Sequence, residues 1–444
     1  MKILKFGGTS VGTPQRMKDV CQLITDGERK IVVLSAMSGT TNSLVEIADY
    51  IKKKNLEGAG SVINKLRTLY RTHVSELYSK QENVEHTDNL LNDIFMHLHD
   101  LTTKPYSTAL EKEILAQGEL MSTNMVTNYL KECGIKVMLI PALDYMRTDA
   151  NSEPDMSFIK ENLSHILEKN SGYDLYITQG FICRNINGEI DNLQRGGSDY
   201  TACLIGAVLH ADEIQIWTDI DGMHNNDPRF VEGTTPVRQL NFEEAAELAY
   251  FGAKILHPTC IQPAHYARVP VRLLNTMDPS APGTIINDQM QKGTIKAVAA
   301  KDNITAIKIV SSRMLLATGF LHKLFETFEV NHTPVDMVTT SEVGVTLTID
   351  NNAHLANIVE ELKQYGTVSI DENMCIICVV GDLRWGNVGF ETLVTEALAN
   401  IPVRMISYGG SNHNISFLIR EQDKKAALCA LSEKLFKDKN TAKK

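Results

Sequence analysis

The sequence predicts an α/β protein in two parts: a mostly parallel sheet covered by helices on both faces, then two ferredoxin-like βαββαβ units. Three observations carry this expectation. From Met1 to about Gly293 short apolar runs alternate with stretches of helical period, the pattern of a parallel sheet with helices on each face. From Ile304 onward the pattern becomes strand–helix–strand–strand–helix–strand, and it then repeats without its last strand. Near the start, Lys5-Phe6-Gly7-Gly8-Thr9-Ser10-Val11 runs from a strand through a glycine turn toward Thr13-Pro14. That pair supplies an N-cap and a proline at the first helical position.

The 444 residues suffice for two or three domains. The formal charge of -10 argues against nucleic acid as the main partner. No apolar run approaches the roughly 18 residues that a spanning helix needs, so no membrane partner is expected. Eight scattered cysteines fit a reducing, cytoplasmic setting. Cys375 and Cys378 have the spacing of a metal or redox pair, yet they fall in an apolar run that reads as a strand. Residues i and i+3 of a strand face opposite ways, which favours two core thiols.

In chain order, Met1–Phe6 is the first strand, and Gly7-Gly8 brings backbone N–H groups close to whatever sits above its end. With the helix start that follows, this makes an anion cradle. Lys5 precedes the glycines, so the loop is neither a Walker A sequence nor a G-x-G-x-x-G fingerprint. The residues alone also allow an ordinary turn. Lys30–Leu34 is a second strand, ending in Ser35-Ala36-Met37-Ser38-Gly39-Thr40-Thr41-Asn42, where small and hydroxyl residues suit a ligand. From Ser43 to about Lys131 the period is helical, with an insertion at about 56–112 that reads as structural. Glu119 lies in this stretch and reads from the sequence as part of a solvated face.

Strands return at Lys136–Ile140 and Asp174–Thr178, the latter leading into Gln179-Gly180-Phe181. Gln194-Arg195-Gly196-Gly197-Ser198-Asp199-Tyr200-Thr201 precedes an apolar helix, joining a fork-shaped carboxylate binder to another helix N-terminus. Glu213–Trp217 ends at Thr218-Asp219-Ile220-Asp221-Gly222, followed by Asn226-Asp227-Pro228-Arg229. A helix over Asn241–Gly252 leads to Ala253-Lys254-Ile255-Leu256-His257-Pro258. The repeat lacks a strand that Ile295–Ala300 could supply, which would nest its two units.

Taken together, KFGGTSV, SAMSGTTN, GELMS, RGGSDYTA, TDIDG with DPR, FGAKILHP and VDMVTTSEV resemble the aspartate kinases over essentially the whole chain. That resemblance implies a three-layer α/β/α amino-acid kinase domain at residues 1–293, ACT units at 294–373 and 374–437, and a disordered tail at 438–444. It implies ATP-dependent phosphorylation of the β-carboxylate of L-aspartate to 4-phospho-L-aspartate, the first step toward lysine, threonine and methionine. A carboxylate nucleophile is already ionised at neutral pH and needs no general base. The expected chemistry is alignment of two anions and neutralisation of charge on the transferred phosphoryl.

Carried over from the family, Lys5 and Lys254 are the catalytic cations and Asp199 orients Lys5. Lys5, Gly7, Gly8, Thr218, Asp219, His224, Arg229 and Lys254 would hold ATP, with His224 standing where the family usually has tyrosine. Arg195, Ser198, Thr41 and Ser35 would bind aspartate, and Glu119 would answer its ammonium. Mg²⁺ would ride on the phosphates, with no protein metal cage. The loop Met314-Leu315-Leu316-Ala317-Thr318-Gly319-Phe320-Leu321 resembles the lysine-sensitive branch, with Ala317 where serine is usual. Met314, Gly319, Phe320, Leu321, Val335, Asp336 and Ser341 are the implied effector contacts, lysine being the allosteric amino acid. ACT pairing implies a homodimer, or a tetramer assembled from it. The absence of a homoserine dehydrogenase segment reads as a monofunctional enzyme. A kinase for glutamate or acetylglutamate is the competing enzyme, and a non-catalytic amino-acid sensor the competing class.

Overall fold

The computed structural model describes residues 1–193, 196–252, 256–314 and 318–437. They form two compact units, Met1–Met223 with Ile255–Asp288, and His224–Lys254 with Gln289–Lys444.

The first unit starts with β1 (Lys2–Phe6), α1 (Pro14–Ile24) and β2 (Lys30–Leu34). The Thr13 hydroxyl accepts from the Arg16 N–H and Pro14 opens α1, the start that the sequence marks. Helices α2 (Thr40–Lys52), α3 (Leu56–Leu77), α4 (Gln81–Thr102) and α5 (Thr108–Glu132) follow. Then come β3 (Val137–Ile140), α6 (Met156–Lys169) and β4 (Leu175–Gln179). A small hairpin of β5 (Ile182–Arg184) and β6 (Ile190–Asn192) precedes α7 (Gly197–Leu209) and β7 (Glu213–Thr218). The excursion His224–Lys254 carries β8 (Gln239–Asn241) and α8 (Phe242–Tyr250) and belongs to the second unit. The first unit closes with α9 (Pro258–Ala267), β9 (Val271–Asn275) and β10 (Thr284–Asn287).

Its strands lie in the order β3-β4-β2-β1-β7-β9-β10, parallel except for the β9–β10 pair. Alternation along β1 and β2 sends Leu4, Phe6, Val32 and Leu34 into a core shared with α1 to α5. Ile3 and Ile214 face the other way, against Gly206 of α7, where an added Cβ would come within 2.4 Å of Ile214. Helices therefore cover both faces. The chain leaves β1 on one side toward β2 and returns on the other as β7, so the crevice at the carboxyl ends of these strands is a topological switch point.

The second unit, described by itself, continues with β11 (Ile295–Val310), α10 (Phe320–Val330), β12 (Val338–Thr340), β13 (Gly344–Ile349) and α11 (Leu355–Leu362). Then come β14 (Thr367–Gly381), α12 (Phe390–Ala397), β15 (Val403–Tyr408), β16 (Asn414–Arg420) and α13 (Lys424–Phe436). One antiparallel sheet runs β12-β13-β11-β14-β16-β15. The long strands β11 and β14 pair along nearly their whole lengths. Thr305–Val310 also pairs with β13, while Ile295–Lys301 lies against Ile376–Gly381. Two separate cores result, one around Ile307, Phe320, Leu324 and Leu347, the other around Ile377, Val394, Phe417 and Leu431. Phe230 and Val231 pack on the latter, and the Asn226 amide donates to the Leu428 carbonyl at 3.0 Å, which ties the excursion to this unit. Cys375 and Cys378 are buried within β14.

Candidate active site

Three strand ends and the turn into α7 build the cleft. Where β1 ends, Gly8 comes so close to the β2 loop that an added Cβ would sit 2.8 Å from the Ala36 carbonyl. The Ser38 N–H donates to the Gly8 carbonyl at 3.1 Å and the Ser35 N–H to the Phe6 carbonyl at 3.2 Å, locking the two loops together. The Gly180 N–H after β4 donates to the Leu34 carbonyl at 2.9 Å. The turn into α7 uses Gly196 at φ 84, a left-handed position that glycine takes without steric cost.

Within this frame a cleft of about 400 Å³ is lined by Lys5, Gly8, Ser35, Thr41, Glu119, Phe181 and Ser198 among others. Lys5 Nζ lies 2.7 Å from Asp199 Oδ1, both side chains largely buried. The same ammonium hangs over Gly7, where a Cβ would be 3.4 Å away. The Ser35 hydroxyl donates to Ser198 Oγ at 2.8 Å. Thr41 stands in the first turn of α2.

Glu119 is 5 % exposed, on the inner side of α5. A solvated face is excluded. The Ala36 N–H donates to its Oε1 at 3.2 Å, while burial pushes its carboxyl up to about 7. Ser122 donates to the Ser35 carbonyl at 2.8 Å, and Gln179 bridges Thr123 Oγ1 (2.9 Å) and the Ala142 N–H (2.8 Å). These buried bonds fix α5 against the ends of β2 and β4. A carboxylate so placed is poised for a cation that arrives with its own charge.

Of the other expected residues, Arg195 and Lys254 lie outside the described residues. Thr218 ends β7, where its hydroxyl accepts from the Ile220 N–H at 3.3 Å, and Asp219 beside it is exposed. In the second unit, His224 Nδ1 is 2.9 Å from Thr234 Oγ1. Arg229 is exposed and forks onto Asp227, with Nε 2.9 Å from Oδ1 and Nη2 2.6 Å from Oδ2. Gly196, Gly197 and Phe181 line the cleft, in stretches that the sequence marks without giving these three a site role. The strand-end turn Gln179-Gly180-Phe181 is the signal that could have found Phe181.

The expected effector residues also lie in the second unit. Gly319 caps α10 at φ 80, Phe320 is buried behind it and Leu321 is 39 % exposed. Met314 and Val335 pack partly buried on the core beneath, Ser341 is exposed, and Ala317 lies outside the described residues. The Asp336 side chain is 1 % exposed and already partnered: Lys301 Nζ is 2.7 Å from its Oδ1, and the Tyr250 hydroxyl donates to the same oxygen. Lys301 also reaches Asp350 Oδ2 at 2.9 Å.

Residues 1–275 match the amino acid kinase family and residues 377–435 an ACT domain. The chain is 34 % identical to aspartokinase 1, chloroplastic, of Arabidopsis thaliana, over 98 % of this chain and 80 % of that protein. It is 33 % identical to the lysine-sensitive aspartokinase 3 of Escherichia coli, over 98 % and 99 %. The crystal structure of E. coli aspartokinase III with aspartate and ADP, an R-state, superposes with a TM-score of 0.83 at 31 % identity, covering 98 % of this chain and all of that one. The T-state structure with lysine and aspartate gives 0.81 at 32 % identity, with the same coverage. With a parallel sheet whose switch-point cleft holds a lysine–aspartate pair, a sheet of ACT topology, and this likeness along nearly its whole length, the chain belongs to the aspartokinases.

Proposed function

We propose that the cleft binds L-aspartate and transfers the γ-phosphoryl of ATP to its β-carboxylate, giving 4-phospho-L-aspartate and ADP. The observation that carries this reading is the buried Glu119 carboxylate in the same cleft as the Lys5–Asp199 pair. Glu119 takes the α-ammonium, and Arg195 takes the α-carboxylate with Ser198, Thr41 and Ser35 alongside. Lys5, oriented by Asp199, meets the transferring phosphoryl beside the Gly7-Gly8 amides, and Lys254 supplies a second cation. The β-carboxylate oxygen attacks phosphorus as the bond to the ADP oxygen breaks. No proton moves, and rate depends on alignment and charge. Thr218, Asp219, His224 and Arg229 hold the nucleotide, for which Arg229 exchanges Asp227 for phosphate. Mg²⁺ would ride on phosphate oxygens and water and offset negative charge there.

The finer assignments belong to the same proposal. Residues 1–293 form the catalytic domain, and 294–373 and 374–437 the ACT units. Lysine is the allosteric amino acid, bound near Met314, Gly319 to Leu321, Val335, Asp336 and Ser341, as the lysine-bound T-state of the E. coli relative suggests. The chain works in the cytoplasm as a homodimer paired through residues from Ile304 onward, and light scattering at micromolar concentration checks the pairing. No described helix is long and apolar enough to cross a membrane. The deciding experiment couples ADP release to L-aspartate for wild type and Glu119→Gln. Aspartate-dependent turnover with a strongly raised KM for aspartate in the variant supports the reading. ADP release that ignores aspartate overturns it.

A further inference from the structure

Phe181 is a non-glycine residue at φ 67, in the left-handed region that side chains rarely occupy. The Ile182 N–H donates to the Gly180 carbonyl at 2.7 Å, closing a three-residue turn around it, a strained form for any residue with a side chain. Three contacts hold it there. Its N–H donates to Thr201 Oγ1 at 2.9 Å, and that hydroxyl in turn donates to the Gly197 carbonyl at 3.1 Å. The Leu193 N–H donates to the Phe181 carbonyl at 2.7 Å. The ring lies flush on Gly197, where an added Cβ would meet its Cδ2 at 2.9 Å. The strained turn thus presses an aromatic ring onto the first turn of α7, which carries Ser198 and Asp199.

A second cavity, of about 500 Å³, is lined by Leu115, Lys112, Asn192 and Leu193 and shares Phe181, Gly196 and Gly197 with the substrate cleft. Two of the three shared residues are glycines. Among the described residues, Phe181 is the one shared lining residue that carries a side chain. Leu115 and Glu119, four apart on α5, line the two spaces in turn.

We propose that the Phe181 ring is a specificity-determining partition: it closes the substrate cleft toward the second cavity, so that the four-carbon dicarboxylic amino acid fits and the five-carbon one does not. This rests on the aspartate reading of the cleft. One methylene in a fitted apolar pocket discriminates by about 10–200-fold. Opening the wall should therefore shift preference within that range.

The test measures KM and kcat for L-aspartate, and turnover and competitive inhibition by L-glutamate, in wild type, Phe181→Ala and Phe181→Leu. Phe181→Ala should improve glutamate relative to aspartate by at least about tenfold, read as turnover or as the inhibition constant against the aspartate KM. Phe181→Leu, which keeps bulk but loses the ring's reach, should shift the ratio the same way by less, and it decides the matter if the alanine variant does not fold. A ratio unchanged within about twofold in the folded variants overturns the partition while leaving the aspartate reading intact. Absence of aspartate turnover in the wild type would remove both.

Discussion

Lys5 and Glu119 show how one cleft asks opposite things of two buried charges. Lys5 keeps Asp199 at 2.7 Å, with its ammonium beside the Gly7 turn. Replacing it by methionine should cut kcat at least about 100-fold, the usual loss for one group facing developing charge. Thermal denaturation should show the fold retained; near-normal kcat would refute the phosphate role. Glu119 is held by one backbone N–H, and burial raises its carboxyl to about 7 from an ordinary 4.5. Between those two values the native protein keeps a proton that the unfolded chain has released. Stability without substrate therefore falls as pH rises through that window, by about 3 kcal/mol in total at about 1.36 kcal/mol per unit. Glu119→Gln should flatten the slope in pH-dependent denaturation. The complementary kinetic sign is that kcat/KM for aspartate drops as pH falls below about 7, since a protonated Glu119 cannot pair with an ammonium. A pH-independent kcat/KM between 5.5 and 8 (roughly the span of one titration) would remove Glu119 from substrate binding.

The sequence showed the first half of each site element well and the second half poorly, and the elements explain the difference. The start of α1 at Thr13-Pro14 and the strand Lys30–Leu34 are local signals and stand where the residues put them. The inward face of Glu119 is not local. Gly118 beside it would carry a Cβ 2.7 Å from that of Ala36, a contact 82 positions away in the chain, so α5 is buried along the very face that periodicity reads as polar. The helical insertion, read as structural, also reaches the site: the Tyr70 hydroxyl of α3 pairs with Thr40 Oγ1 at 2.9 Å, next to Thr41. The turn after β4 is signalled by Gly180, but that Phe181 takes the left-handed position in it is not, because phenylalanine is a poor residue for it. At this scale the sharpest prediction is Gly8→Ala. Its Cβ would sit 2.8 Å from a backbone carbonyl, so the β1 and β2 loops must part. Turnover should fall by at least about tenfold for loss of cradle geometry, with KM rising for both substrates. Unchanged kinetics would mean that the loops separate at no cost.

Across the molecule, the second unit's long strands β11 and β14 make one sheet from two ACT patterns, because Ile295–Lys301 pairs with a strand some 80 positions later in the chain. Such pairing leaves only a gap in the pattern for the sequence to show. The same unit holds Asp336, whose buried carboxylate is shared by Lys301 and by Tyr250 at the end of α8, four residues before Lys254. On the proposed effector reading, an ammonium brought to Asp336 would meet a site where Lys301 already sits, so binding would exchange one ammonium for another. Removing one partner of a buried pair costs about 3–5 kcal/mol, so substitutions here act on stability as well as on regulation. Lysine should inhibit the wild type, with a coupling of about 1–3 kcal/mol between effector and substrate. Asp336→Ala should abolish that response. Lys301→Met leaves Asp336 short of a cation and should lower the lysine concentration for half-inhibition several-fold, whereas threonine, with no ammonium on its side chain, should gain nothing. Titrating both amino acids in the kinase assay with the three proteins checks this. Lysine inhibition that survives unchanged in Asp336→Ala would place the effector elsewhere, and a lysine response weakened in Lys301→Met would mean that Lys301 supports the effector and does not compete with it.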